Sequence, residues 1–196
     1  MRAVLVISAL TVSAFAFVAS VASAEEWSID PAHTRIGFSV PHMVVSDVEG
    51  RFHDVKGKVD IDDADLTKST VELTIAAGSI DTASADRDKH LKGPDFFDVT
   101  KYPNLTFKST KVAKAGKAKY KVTGDLTIRD VKKSVTLDVN VSDPVTSPWG
   151  KLVRAVKVEG KINRHDFGLN WNKTLDKGGV LVGDDVTLDL RFELNK

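Results

Sequence analysis

Five histidines, His33, His42, His53, His90 and His165, are the most versatile side chains in this 196-residue sequence. Imidazole titrates near neutrality and ligates metals, so their spacing is weighed first. No two stand two or four residues apart, the spacings that set a ligand pair on one strand or helix face. His33, His42 and His53 share the N-terminal third, where adjacent strands could bring them to one metal. Asp86-Arg87-Asp88-Lys89-His90 gathers carboxylates, a guanidinium and an imidazole that could serve acid–base or head-group chemistry. The same order of charges is also what helix capping and charge pairing produce. The sequence contains no Gly-x-Ser-x-Gly elbow, His-Glu-x-x-His pair, phosphate loop or dinucleotide fingerprint. Zero cysteines exclude thiolate metal sites, disulfides and thiol nucleophiles. With 28 Lys+Arg against 27 Asp+Glu and no basic block, there is no electrostatic footprint for nucleic acid. Catalytic residues, a metal and a cofactor are therefore not expected, and the residues point to a container. The competing class is a metal- or head-group-dependent enzyme built on His33, His42 or the Asp86 to His90 cluster.

What would position these residues is a chain of strands behind an export signal. Met1 to Ala24 carries one early cation, Arg2, an apolar run from Ala3 to Val21, and Ala22-Ser23-Ala24 before Glu25. That is the plan of a secretory signal cleaved after Ala24, which leaves residues 25–196 as one domain in an exported compartment, most simply a periplasm. No second stretch approaches spanning length, so stable membrane insertion is not expected. Apolar residues then alternate with polar ones at Ile36 to Val40, Val71 to Ile75, Tyr120 to Ile128, Val135 to Val141, Val156 to Ile162 and Val186 to Leu194. Phe52 to Ile61 and Leu105 to Val112 repeat the pattern more weakly. Alternation with one apolar face predicts about eight antiparallel strands, because strands covered on both faces read as continuous apolar runs. Turns are predicted at Asp62 to Asp65, Lys114 to Lys117, Asp130 to Lys133 and Val182 to Asp185. Between Ser79 and Pro103 the pattern predicts a short helix, with Thr82 or Ser84 as cap and Gly93-Pro94 as stop, followed by the aromatics Phe96 and Phe97. Gly124 and Gly160 fall on the apolar parity, which suits a curved sheet and favours a barrel over a sandwich.

Several segments together resemble the YceI-like polyisoprenoid-binding family. They are Trp27-Ser28-Ile29-Asp30-Pro31-Ala32-His33-Thr34-Arg35-Ile36-Gly37-Phe38, Asp86 to Leu91 with Asp95-Phe96-Phe97-Asp98, and Tyr102-Pro103 before Phe107. Gly124 to Arg129, Arg164-His165-Asp166-Phe167-Gly168 and Val182 to Val186 complete the series, so the likeness runs from Trp27 to Leu194. The sequence departs at Asp130, where the family usually has Gly, and at Thr34, where it usually has Ser. The resemblance implies an all-β fold, an extended eight-stranded antiparallel lipocalin-like barrel with a short helix in one connection. It also implies binding, storage or transport of a long-chain isoprenoid, such as a polyprenyl quinone or a similar amphiphilic lipid, without catalytic residues. A forty-carbon tail at roughly 0.3 kcal/mol per heavy atom would reach about 12 kcal/mol, on the order of nanomolar affinity. A ligand-free structural or stress barrel with a filled lumen is the third reading.

If the alternating faces turn inward, Phe38, Phe52, Leu73, Leu126, Ile128, Val158, Leu188 and Leu190 are expected to line the lumen. Arg87, His90, Leu91, Phe96 and Phe97 are expected at its mouth, with the segment from Asp81 to Tyr102 as a gate or a permanent plug. The oligomeric state is left open, a homodimer included.

Overall fold

The computed structural model describes residues 24–176 and 178–196. The predicted export signal, Met1 to Ala24, lies outside the described residues except for Ala24 itself. The elements in chain order are β1 (Glu25–Ile29), β2 (Arg35–His42), β3 (Ser46–Phe52), β4 (Val55–Ile61), β5 (Thr70–Ala76) and β6 (Ile80–Asp81). There follow α1 (Ala85–Lys92), β7 (Asn104–Gly116), β8 (Lys119–Ile128), β9 (Val131–Val141), β10 (Val145–Thr146), β11 (Leu152–Asn163) and β12 (Asp185–Asn195).

These strands close into one antiparallel barrel of eight walls. β12 pairs with β11 from Asp185 to Asn195 on one edge. Its other edge is shared: Thr187 to Arg191 face β2, and Leu194 and Asn195 face β1. β1 and β2 are thus two halves of one bent wall, and β3 and β4 form the next, since β2 pairs β3 and β1 pairs β4. β5, β7, β8 and β9 continue in order to β11. Closure removes the open edges that an eight-stranded sheet would otherwise expose. The alternation does what it predicts: on β5 Leu73 and Ile75 are buried while Glu72 and Thr74 are exposed. On β8 Tyr120 and Val122 are buried while Lys119 and Lys121 are exposed.

Close approach explains the glycines on the apolar parity. A Cβ on Gly124 would stand 2.4 Å from the Phe107 ring and 2.6 Å from the Lys108 carbonyl oxygen, whereas at Gly160 it would meet only the end of Leu137, at 2.4 Å. A leucine tip can rotate away and a backbone carbonyl cannot. Gly124→Ala is therefore expected to cost about 2 to 3 kcal/mol in denaturant unfolding, and Gly160→Ala clearly less. Equal costs would show that the ring and carbonyl contacts do not constrain the wall.

Three details differ from the sequence expectations. β1 is a strand that the weak alternation around Trp27 did not signal. The β7–β8 turn falls at Lys117 and Ala118 rather than Lys114 to Lys117, because Ala118 takes the left-handed conformation (φ 56°) while Gly116 stays in the ladder. The β8–β9 turn falls at Arg129 and Asp130. Arg129, not Asp130, supplies its positive φ of 58°, and Asp130 instead accepts a hydrogen bond from the Tyr102 hydroxyl at 3.0 Å. That bond anchors the segment leading down from α1.

Capping of α1 also departs from expectation. Ser84 occupies the cap position with no side-chain bond. The link runs backwards: Asp88 Oδ1 accepts from the Thr82 amide (2.9 Å) and hydroxyl (2.6 Å). Arg87 donates to the Thr82 hydroxyl and carbonyl, at 2.7 and 2.6 Å. Thr82 is buried, so its polar atoms must be satisfied locally, and the helix does so from both sides.

Candidate functional site

The interior holds two apolar chambers in series. The one under α1 has a volume of about 450 Å³ and the deeper one about 200 Å³. Phe38, Phe52, Leu105, Ile128, Ile162 and Leu188 border both, forming a waist. Together they lie in the size range of sites that bury a small amphiphile.

All eight residues predicted for the lumen, Phe38, Phe52, Leu73, Leu126, Ile128, Val158, Leu188 and Leu190, line the deeper chamber. All five predicted for the mouth, Arg87, His90, Leu91, Phe96 and Phe97, line the upper one. The ring of Phe52 lies between Phe38 and Phe97, with centroids 5.7 Å from each, and carries the apolar wall from the waist to the roof. His90 stands edge-on to Phe96 (5.1 Å) and Trp171 (4.8 Å) and bonds Asp95 at 2.9 Å. Trp171 escaped the sequence reading, because the stretch after Gly168 has no strand or helix periodicity to place it.

Arg164 is the buried cation of this end, 3% exposed. Its Nε donates to the Gly183 carbonyl at 2.9 Å, and its Nη1 to the carbonyls of Leu169 and Trp171. It thereby ties the Trp171 loop to the loop before β12. Burial holds its pKa below the usual arginine value, and Asp184, 3.5 Å away, works against that shift. The far end is filled differently. Buried Arg154 lies over the buried Trp27 ring, 4.9 Å from its centroid, and its Nη2 bonds Asp63.

His42 and His90 both line the upper chamber, with Asp86, but among the described residues they form no cluster close enough to hold a metal ion. His33 precedes β2 and His42 ends it, while His53 bonds Asp81 at 2.8 Å and His165 bonds Asp184 at 2.9 Å. Of the clusters that could hold a cation, the described residues show Asp30, His33 and Glu193, at the surface. There His33 Nδ1 is 3.1 Å from Asp30 and 3.6 Å from Glu193. The Asp30 bond first, then Glu193, raises the His33 pKa, and His33 lowers that of Asp30. A raised histidine stabilises fully below its unfolded pKa and loses this as pH rises through its folded value. A lowered aspartate stabilises above its unfolded pKa and loses this as pH falls through its folded value. The pair is thus strongest in mild acid. A titration of the His33 ring by NMR should show its midpoint above that of an unfolded-chain histidine; a midpoint at or below it would remove the pairing.

Residues 27–194 match the model of the YceI-like domain. This chain belongs to the YceI-like family. A UPF0312 protein of Staphylococcus aureus is 37% identical over 172 residues, covering 86% of this chain and 96% of its own. Among solved structures, BcnA of Burkholderia cenocepacia superposes with a TM-score of 0.73 at 27% identity, over 86% of this chain and 99% of its own. A YCEI protein of Campylobacter jejuni gives 0.69 at 33% identity, over 80% and 89%. A domain from Saccharophagus degradans, described as polyisoprenoid-binding, gives 0.61 over 86% and 97%; at 16% identity it shows the shared fold of this YceI-like barrel and no more.

Proposed function

We propose that this YceI-like barrel binds one long-chain isoprenoid, such as a polyprenyl quinone or a similar amphiphilic lipid, for storage or transport in an exported compartment. The observation that carries this reading is the pair of serial apolar chambers joined at a waist and roofed by α1. A flexible tail fits such a space because apolar burial has no direction. The Saccharophagus degradans domain that shares this fold is described as polyisoprenoid-binding, and the proposal takes the same class of ligand. Periplasmic placement rests on Arg2, the apolar run and Ala22-Ser23-Ala24. Among the described residues no helix is long and apolar enough to cross a membrane.

Extraction of the purified, exported protein with organic solvent, followed by mass spectrometry, should release one long-tailed lipid per chain and leave a polypeptide that begins at Glu25. Protein that elutes without any apolar tail would support a filled structural barrel instead. The roof distinguishes gate from plug. Amides from Ala83 to Asp98 should exchange quickly in the lipid-free protein and slow on loading; equal protection in both states would make the segment a plug.

A further inference from the structure

Three consecutive apolar side chains stand in water at the tip of the β2–β3 hairpin: Met43 is 39% exposed, Val44 87% and Val45 84%. The Val45 amide donates to the His42 carbonyl at 3.1 Å, and Met43 and Val44 have φ of 53° and 59°, the geometry of a type I′ turn. Asn-Gly takes that turn without strain, whereas a β-branched valine there is strained. The chain thus keeps apolar residues where a polar pair would be better hydrated and more relaxed. None of the three belongs to the buried core.

The patch extends to the loop before β12, where Val180 is 41% exposed and the Leu181 carbonyl accepts from the Met43 amide at 3.0 Å. The Gly183 amide donates to the Pro41 carbonyl at 2.8 Å, locking the two loops together. Pro41, His42, Leu181 and Val182, from these same loops, line the upper chamber. The exposed tip is thus adjacent in the chain to the residues that wall the upper chamber.

We propose that Met43, Val44, Val45 and Val180 form a wedge that seats the mouth of the barrel on a lipid bilayer, so that a tail passes between membrane and lumen without crossing water. This rests on the lipid-carrying reading above. A bilayer is the fitting occupant because one hairpin tip and one loop residue offer far less than the ~800 Å² per partner that a stable protein interface needs. Interfacial insertion, in contrast, accepts side chains one at a time and needs no complementary partner. Exposed Asp47, Glu49 and Lys173 nearby carry mixed charge, so docking is apolar and extends to uncharged membranes.

Flotation of the exported protein with pure phosphatidylcholine vesicles tests this directly. The native chain should co-float, with little change up to about 0.5 M salt. The V44D/V45D double variant should lose at least tenfold in partitioning and carry less lipid, read by extraction and mass spectrometry, while its circular dichroism stays that of the native barrel. The M43N/V44G variant should melt higher than the native chain yet float less. Native protein that carries a tail but does not float, or V44D/V45D protein that floats as well as native, would overturn the wedge and leave the carrier reading intact. A concentration-dependent dimer dispersed by V44D/V45D in sedimentation would likewise overturn it, by showing a second copy as the occupant. Protein without any tail would instead refute the carrier reading.

Discussion

Arg164→Met should destabilise the barrel by about 3 to 5 kcal/mol in denaturant unfolding. Methionine matches much of the arginine stem and so limits cavity formation. It removes the donors to the Gly183, Leu169 and Trp171 carbonyls, and a buried carbonyl left unpaired costs about 1 to 3 kcal/mol. Asp184 loses a cation but is itself exposed, so its share is small. Arg164→Lys should recover only part of the loss, since a single ammonium cannot reach oxygens that lie on both edges of a guanidinium. The local signature is a shift in the fluorescence of Trp171, whose carbonyl is one of the three. A loss below about 1 kcal/mol would show that solvent satisfies these carbonyls and that the buried cation is dispensable.

Leu188→Trp should abolish tail loading with little change in stability. Leu188 borders both chambers, and a tryptophan there fills the waist through which a tail must thread. Binding of a fluorescent long-chain probe should weaken more than tenfold, at least about 1.4 kcal/mol. In a solid core the same change would overpack and destabilise by about 1 to 3 kcal/mol. Loss of stability with no loss of loading would therefore indicate packed interior and a ligand lodged elsewhere. Leu126→Trp, in the deeper chamber alone, should shorten the tail accepted rather than exclude every tail.

The wall of the barrel was legible because its signal is repetitive. Period-two alternation from Val71 to Ile75 or Tyr120 to Ile128 states which side chains face in, and a barrel offers only one inside. What could not be read were features set by single contacts between distant residues. β1 is held through Trp27 against Val59 and Leu194-Asn195 against Ser28-Ile29, a pairing across the whole chain. The turn at Ala118 replaced a glycine-bearing alternative because backbone register, not residue preference, chose the left-handed position. Of the candidate site, the apolar members followed from alternation and the roof residues from charge order and the aromatic pair. The partners of Arg87 and the place of Trp171 did not. Both depend on how an irregular segment folds back, and no local periodicity encodes that.

Buried Trp27 and Arg154 fill part of the far end of the barrel, opposite the roof. On the carrier reading proposed above, a tail that enters beneath the roof and stops against this filling leaves by the same path. A tail that goes in first comes out last, so a polar head stays at the rim throughout and is what any acceptor meets first. Two lipids cannot queue on such a path, and replacement requires complete withdrawal of one before the next can enter. Turnover on that reading is set by the slowest backward slide past Leu188, and longer tails would dwell longer for the same affinity per carbon.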